Sequence, residues 1–208
     1  MKRKERNSKR FLNWISPLVV TLCCVSGIQA HAENTDQTVK DFIDHSAEAL
    51  KKGVDKLGDD FVKIQNYLEN YQWKGMIQDQ ATSGPETLSH LKLNNRGKII
   101  AVRPGEIVHG KVVCSLNPDQ ADSLNVYRVV LGLHGEGPQT TIGTTLGAFN
   151  GSSTEQFSLT APVKPGIYQI RFRTADNFLE GKAMDSWFDE KGKEPDASTT
   201  IGIIYVKS

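Results

Sequence analysis

From Lys98 to the C-terminus the chain alternates apolar and polar residues with a period of two, and turn-forming clusters interrupt it every 8–15 residues. No feature constrains the fold more. Strands this short, with no helical periodicity between them, bury their apolar faces only by stacking one sheet on another. The expected fold class is therefore mainly β, an antiparallel β-sandwich, with an N-terminal α-helical arm.

The individual strands can be read in order. Ile99–Val102 is a strand, Arg103-Pro104-Gly105-Glu106 a type II turn, and Ile107–Leu116 the returning strand. Proline pre-sets the second turn position and glycine supplies positive φ at the third. Leu124–His134, Thr140–Phe149, Gln156–Ala161, Ile167–Arg173 and Thr199–Val206 follow. In Ile167–Arg173, Tyr168, Ile170 and Phe172 face one way and Gln169, Arg171 and Arg173 the other. The last strand, Ile201-Gly202-Ile203-Ile204-Tyr205-Val206, is apolar on both faces, which predicts cover on both sides. The segment Thr160-Ala161-Pro162-Val163-Lys164-Pro165-Gly166-Ile167-Tyr168 resembles the closing strands of immunoglobulin-like and carbohydrate-binding sandwiches of secreted proteins. That resemblance covers about 50 residues, rests on turn chemistry, and implies architecture rather than ligand. Two short matches, Val102–Gly105 with Val163–Gly166 and Thr140–Gly143 with Thr199–Gly202, fit either a pair of related half-sandwiches or turn and strand preference alone, and the second reading is preferred.

Upstream the period is seven. Ile43, Ala47, Leu50, Val54, Leu57, Phe61, Ile64, Leu68 and Tyr71 are spaced alternately by four and three residues, the seam of a coiled coil. A helix over 33–74 is expected, about 35 residues of it regular and ~50 Å long. Gly53 and Gly58 beside the seam each cost ~1 kcal/mol of helix propensity. The seam is read first as a self-association surface, with packing across the chain's own sheet as the alternative and docking on another protein as a third use. Residues 75–97 are expected to be a linker and 98–208 the sandwich domain.

Residues 1–32 combine a basic opening, an apolar run from Phe11 to about Ile28 and the small-x-small pattern Ala30-His31-Ala32. This is the pattern of a secretory signal peptide, and the run is too interrupted for the ~20 apolar residues of a membrane span. The expected location is the periplasm, the cell surface or the medium. Of 25 Lys+Arg and 24 Asp+Glu, the leader holds six and one, so residues 33–208 carry 19 against 23, net −4. The basic surplus thus belongs to the leader, and nucleic acid is not an expected partner. Two of the three cysteines, Cys23 and Cys24, also fall there, which leaves Cys114 without an internal disulfide partner.

Catalytic patterns are missing. His45, His90, His109 and His134 stand at no zinc spacing, and no nucleophile elbow occurs. Cys114 shares a strand face with Val112 and Leu116 and reads as a small buried apolar side chain. No cofactor is expected. Acidic residues crowd two loops, Asp185, Asp189, Glu190, Glu194 and Asp196 in one and Asp119 and Asp122 in the other, where Ca²⁺ is the one metal to consider, although no EF-hand spacing is present.

The strongest functional candidate is the loop 174–198. Loops beyond ~12–15 residues in a compact domain usually serve a function or are disordered. This one holds Phe178, Trp187 and Phe188, with Asp185 and Asp189 flanking the aromatic pair. Aromatic faces beside hydrogen-bonding groups suit a sugar ring or a protein anchor. The sequence therefore predicts an exported, non-enzymatic binding protein that recognises a glycan or protein through this loop. The alternatives are an envelope assembly protein that oligomerises through its arm, and a hydrolase with paired carboxylates.

Overall fold

The computed structural model describes residues 50, 52–71, 73, 76–148 and 151–207. Among the described residues, nine strands form two sheets. The first contains β1 (Gln80–Ser83), β2 (Glu86–Leu93), β4 (Ile107–Leu116) and β7 (Gly151–Thr160), in the order β1-β2-β4-β7. The second contains β3 (Ile99–Val102), β5 (Val126–Leu133), β6 (Gly137–Leu146), β8 (Gly166–Ala175) and β9 (Gly202–Val206), in the order β3-β9-β8-β5-β6. One core joins the two sheets: Leu88, Val108, Val112 and Leu159 of the first meet Val129, Leu131, Ile170, Phe172 and Ile204 of the second. The strict in–out burial along β4 shows how the period-two pattern builds this layer.

Several expectations need correction. The pairing is mixed rather than wholly antiparallel, because β3 runs parallel to β9. The turn Arg103–Glu106 forms as read, with Gly105 at φ 73° and the Glu106 N–H donating to Arg103 O (3.2 Å). It does not make a hairpin, however: it carries the chain from the second sheet to the first, where β4 pairs with β2 and β7.

Residues 75–97 are not a linker either, since β1 and β2 occupy most of the segment. They form a hairpin about Gly84-Pro85, with Gly84 at φ 55° and Ser83 opposite Glu86. The alternation of β2 is hidden in sequence by a bulge at His90 (φ 55°), which shifts the register between Ser89 and Lys92. Leu88 is inward before the bulge, and Leu91 and Leu93 are inward after it.

The arm is not one continuous helix. Residues 52–55 are helical, 56–59 form a turn with Gly58 at φ 60°, and α1 (Phe61–Asn70) starts afresh. Asp60 caps the new helix by accepting from the N–H groups of Val62 and Lys63 (3.1 Å each). Gly58 is the residue that adopts the left-handed break without strain.

The described part of the seam packs on the chain's own sheet. Leu50, Val54, Ile64 and Leu68 are fully buried in a cluster with Ile99, Ile203 and Tyr205, and Leu57 and Tyr71 pack at its edge. Phe61 lies half-buried beneath the Arg103 guanidinium, 4.8 Å from the ring centre. Ile43 and Ala47 lie outside the described residues. The final strand is accordingly buried along its whole length, with Ile204 and Val206 in the sandwich core and Ile203 and Tyr205 beneath the arm. Gln65 completes the docking. Its side-chain amide donates to Ile99 O (2.7 Å) and accepts from Ala101 N–H (2.8 Å), as a neighbouring strand would, and so closes the free edge of β3.

Candidate functional site

The segment between β8 and β9 is a folded flap rather than an open loop. It contains a short helix, α2 (Glu180–Asp185), and a 3-10 turn (Ala197–Thr199), and it lies over the outer face of β5 and β8. Trp187, expected to be a ligand platform, is fully buried against Val130, Ala175 and Ala183. Its ring belongs to the flap's own small core and cannot stack on a ligand. The polar face of β8 explains why the flap lies down. Arg171 donates to Pro195 O (2.7 Å), and Arg173 donates to Ser186 O (3.3 Å) and Lys193 O (3.2 Å). At the far end Glu194 accepts from Gly135 N–H (3.0 Å) and sits 2.6 Å from His134 Nδ1.

Of the other residues expected at the site, Phe178 and Phe188 are exposed, as are Asp185 and Asp189. Asp189 is occupied locally: its carboxylate accepts from the N–H groups of Lys191 (2.9 Å) and Lys193 (2.8 Å), which hold it below the usual carboxylate range. Among the described residues no three His, Cys, Asp or Glu side chains converge on a metal position, the acidic loops included.

What the structure gathers instead lies at one end of the five-stranded sheet. Val126 at the start of β5 opposes Leu146 at the end of β6, and Arg128 opposes Ala175 at the end of β8. The connections leaving these strands therefore meet, and hydrogen bonds tie them together. Asn125 Nδ2 donates to Asp176 (3.0 Å), Arg128 Nε to Phe178 O (2.9 Å), and Gly147 N–H to Asn125 O (2.8 Å). Asp122 shapes the first connection by accepting from Leu124 N–H (2.9 Å), and the Asp122 N–H donates to the Tyr127 hydroxyl (2.8 Å).

This end carries Leu124, Phe178, Leu179 and Leu146, which are 87%, 64%, 54% and 37% exposed. They are four of the eight exposed large apolar side chains among the described residues. Single exposed apolar residues are ordinary, but four on adjoining segments are not. Asp122, Asp176 and Glu180, all exposed, lie within two residues of members of this group along the chain. Sequence reading found Phe178 through the long loop but missed Leu124, two residues before β5, and Leu146 at the end of β6, where an apolar residue looks like strand pattern.

The carboxylate pair that a hydrolase would need has one buried representative. Glu86 points into the sandwich, and burial pushes its carboxyl above the usual range, with the Glu155 charge adding to the effect and a Thr145 hydrogen bond opposing it. Cys114 lies nearby, its thiol pushed up to about 12 by burial and by the Glu86 and Glu155 charges. A thiol held protonated in this way is a poor nucleophile, so it packs as an apolar residue. The two described cavities are shallow; one has no acid in its lining and the other has only Glu106. No described helix is long and apolar enough to cross a membrane. No protein-family model matches the chain, and a comparison with curated proteins likewise returns no match.

Proposed function

We propose that this chain is an exported, non-enzymatic binding module of immunoglobulin-like architecture, and that it grips a protein partner through the apolar end formed by Leu124, Leu146, Phe178 and Leu179. The carrying observation is the concentration of exposed apolar side chains where three connections meet.

The strand order supports the architecture. In the immunoglobulin sandwich the second and fifth strands pair in one sheet, and the third, sixth and seventh lie together in the other. Here β4 pairs with β7, and β5, β8 and β9 are adjacent. A tyrosine corner is another mark of that sandwich. The Tyr168 hydroxyl, at the start of β8, donates to Lys164 O four residues upstream (2.7 Å). In that frame the connections after β4, β6 and β8 correspond to the end that variable domains use for recognition. The correspondence is one of architecture and names no ligand.

A protein partner is favoured over a glycan because Trp187, the largest ring of the loop, is internal. Leucine and phenylalanine side chains with exposed Asp122, Asp176 and Glu180 near them along the chain suit a partner with an apolar anchor and a basic border. Assembly through the arm loses support because the described part of the seam packs on β3 and β9.

A photo-cross-linking amino acid placed in turn at positions 124, 178 and 163 in the producing cell tests the reading. Positions 124 and 178 should trap the same polypeptide, and the exposed control position 163 should not. Adducts that are absent, or identical at all three positions, would refute it.

A further inference from the structure

The outer face of the four-stranded sheet carries a second feature that the apolar end does not use. Lys92 on β2 is the cross-strand partner of Lys111 on β4, and Lys111 is the partner of Gln156 on β7. One step along the strands, Asn94 meets His109, and His109 meets Ser158. Two adjacent rows of three outward side chains thus line a hollow of about 500 Å³. From strand spacing and rise, the rows cover roughly 10 Å by 7 Å, and the volume lies within the ~300–1,000 Å³ of small-ligand sites.

The composition of the rows is costly to the fold. Like charges directly opposite on a sheet face repel. Neither Lys92 nor Lys111 makes an ion pair or hydrogen bond among the described residues, in a chain whose residues 33–208 are net acidic. The bulge at His90 brings the lysines together: without its extra residue, Leu91 rather than Lys92 would oppose Lys111. The bulge and the turn that follows place three non-glycine residues, His90, Asn94 and Asn95, at φ of 55°, 46° and 60°. Strained backbone beside a polar hollow is a combination that clusters at binding sites.

The groups are also ordered. Asn94 Oδ1 accepts from His109 N–H (2.8 Å) while its N–H donates to His109 O (2.7 Å), and His109 Nδ1 lies 3.0 Å from Ser158 Oγ. The Gln156 side chain has no partner among the described residues.

We infer that this hollow binds an acidic saccharide of one or two rings, with Lys92 and Lys111 holding its carboxylate or sulfate. Asn94, Gln156, His109 and Ser158 take its hydroxyls. A carboxylate or sulfate relieves the lysine repulsion and forms charge-assisted hydrogen bonds with both ammonium groups. Neighbouring hydroxyls need paired donors and acceptors on a flat surface, which amide, imidazole and serine groups supply. Exposed Ile107, one row further along β4, offers an apolar surface to the C–H face of a ring. A long polyanion such as nucleic acid is disfavoured, because residues 33–208 carry a net charge of −4.

Calorimetric titration of the purified chain with a hexuronate-containing disaccharide, the matching neutral disaccharide and inorganic sulfate tests the assignment. The acidic sugar should bind at least tenfold more tightly than either of the others. Lys92→Gln and Lys111→Gln should each weaken it about tenfold, the loss expected for one charged hydrogen bond. Both variants should keep the wild-type circular dichroism spectrum, since each removes a repulsion from an exposed position. No binding of the acidic sugar, equal binding of sulfate, or affinity indifferent to both substitutions overturns the inference.

Discussion

Replacing Trp187 with alanine separates the two roles a tryptophan can play in this flap. As a ligand platform it would leave stability nearly untouched when removed. As the structure has it, the indole is fully buried against Val130, Ala175 and Ala183, with Met184 partly covering it. Deleting a buried aromatic of this size costs ~3–5 kcal/mol. The indole Nε1–H has no hydrogen-bond partner inside the cluster, and its removal relieves a buried unsatisfied donor. The expected loss therefore lies near the lower figure, about 3 kcal/mol. Against a total of ~5–15 kcal/mol for a domain, that is large but not always fatal. Urea unfolding of both proteins gives the number. Trypsin supplies a local readout, because the exposed Lys182, Lys191 and Lys193 lie on the flap and should be cut much faster once its anchor is gone. Trp187→Phe serves as the milder control: it keeps an aromatic ring, drops the unpaired N–H, and should stay within ~1.5 kcal/mol of wild type. An alanine variant less than about 1 kcal/mol weaker, with unchanged trypsin cleavage, would refute the anchoring argument, because fully buried aromatics do not come out so cheaply.

Two further outcomes follow from buried polar groups. Gln65→Leu removes the amide that pairs with Ile99 O and Ala101 N–H, leaving two backbone groups unsatisfied and a strand edge open. It should cost ~1–3 kcal/mol in chemical denaturation and promote self-association visible by analytical ultracentrifugation, whereas wild type should sediment as a monomer. A stable, monomeric Gln65→Leu variant would contradict this.

Glu86 has its carboxyl raised by burial, so the native state holds its proton more tightly than the unfolded chain. Its stabilising contribution is thus fully present below the unfolded value of 4.5 and fades as pH rises through the folded one. Glu86→Gln should therefore gain on wild type as pH rises from about 4.5 toward neutrality. Parallel stability–pH curves for the two proteins would show that Glu86 is not the titrating group.

Several elements were legible because one physical rule governs each of them. Alternation along β4 and β8 announced two-faced strands, and apolarity on both faces of β9 announced that something covers it. Pro104-Gly105 and Pro165-Gly166 announced turns. The bulge at His90 defeated the reading of β2, since a single extra residue inverts which positions look inward. Leu124 and Leu146 escaped notice for a related reason: at or just beyond a strand end, sequence does not distinguish a core side chain from an exposed one. Phe178, Phe188 and Trp187 looked alike in the chain. Only the last finds a pocket, because Ala175 and Ala183 are small and Val130 faces outward beneath it.

The sequence by itself determined the local conformations, the two-layer β class and the need for a cover over the final strand, because propensity, turn chemistry and burial period act within a few residues. Tertiary structure decided how those pieces were used. It sent β3 to pair with β9 instead of β4, turned a coiled-coil seam into the cover over β9, and laid the long loop down as a flap. Each of those choices depends on which apolar faces come into contact across long stretches of chain, and burial free energy follows contact in space rather than order along the chain.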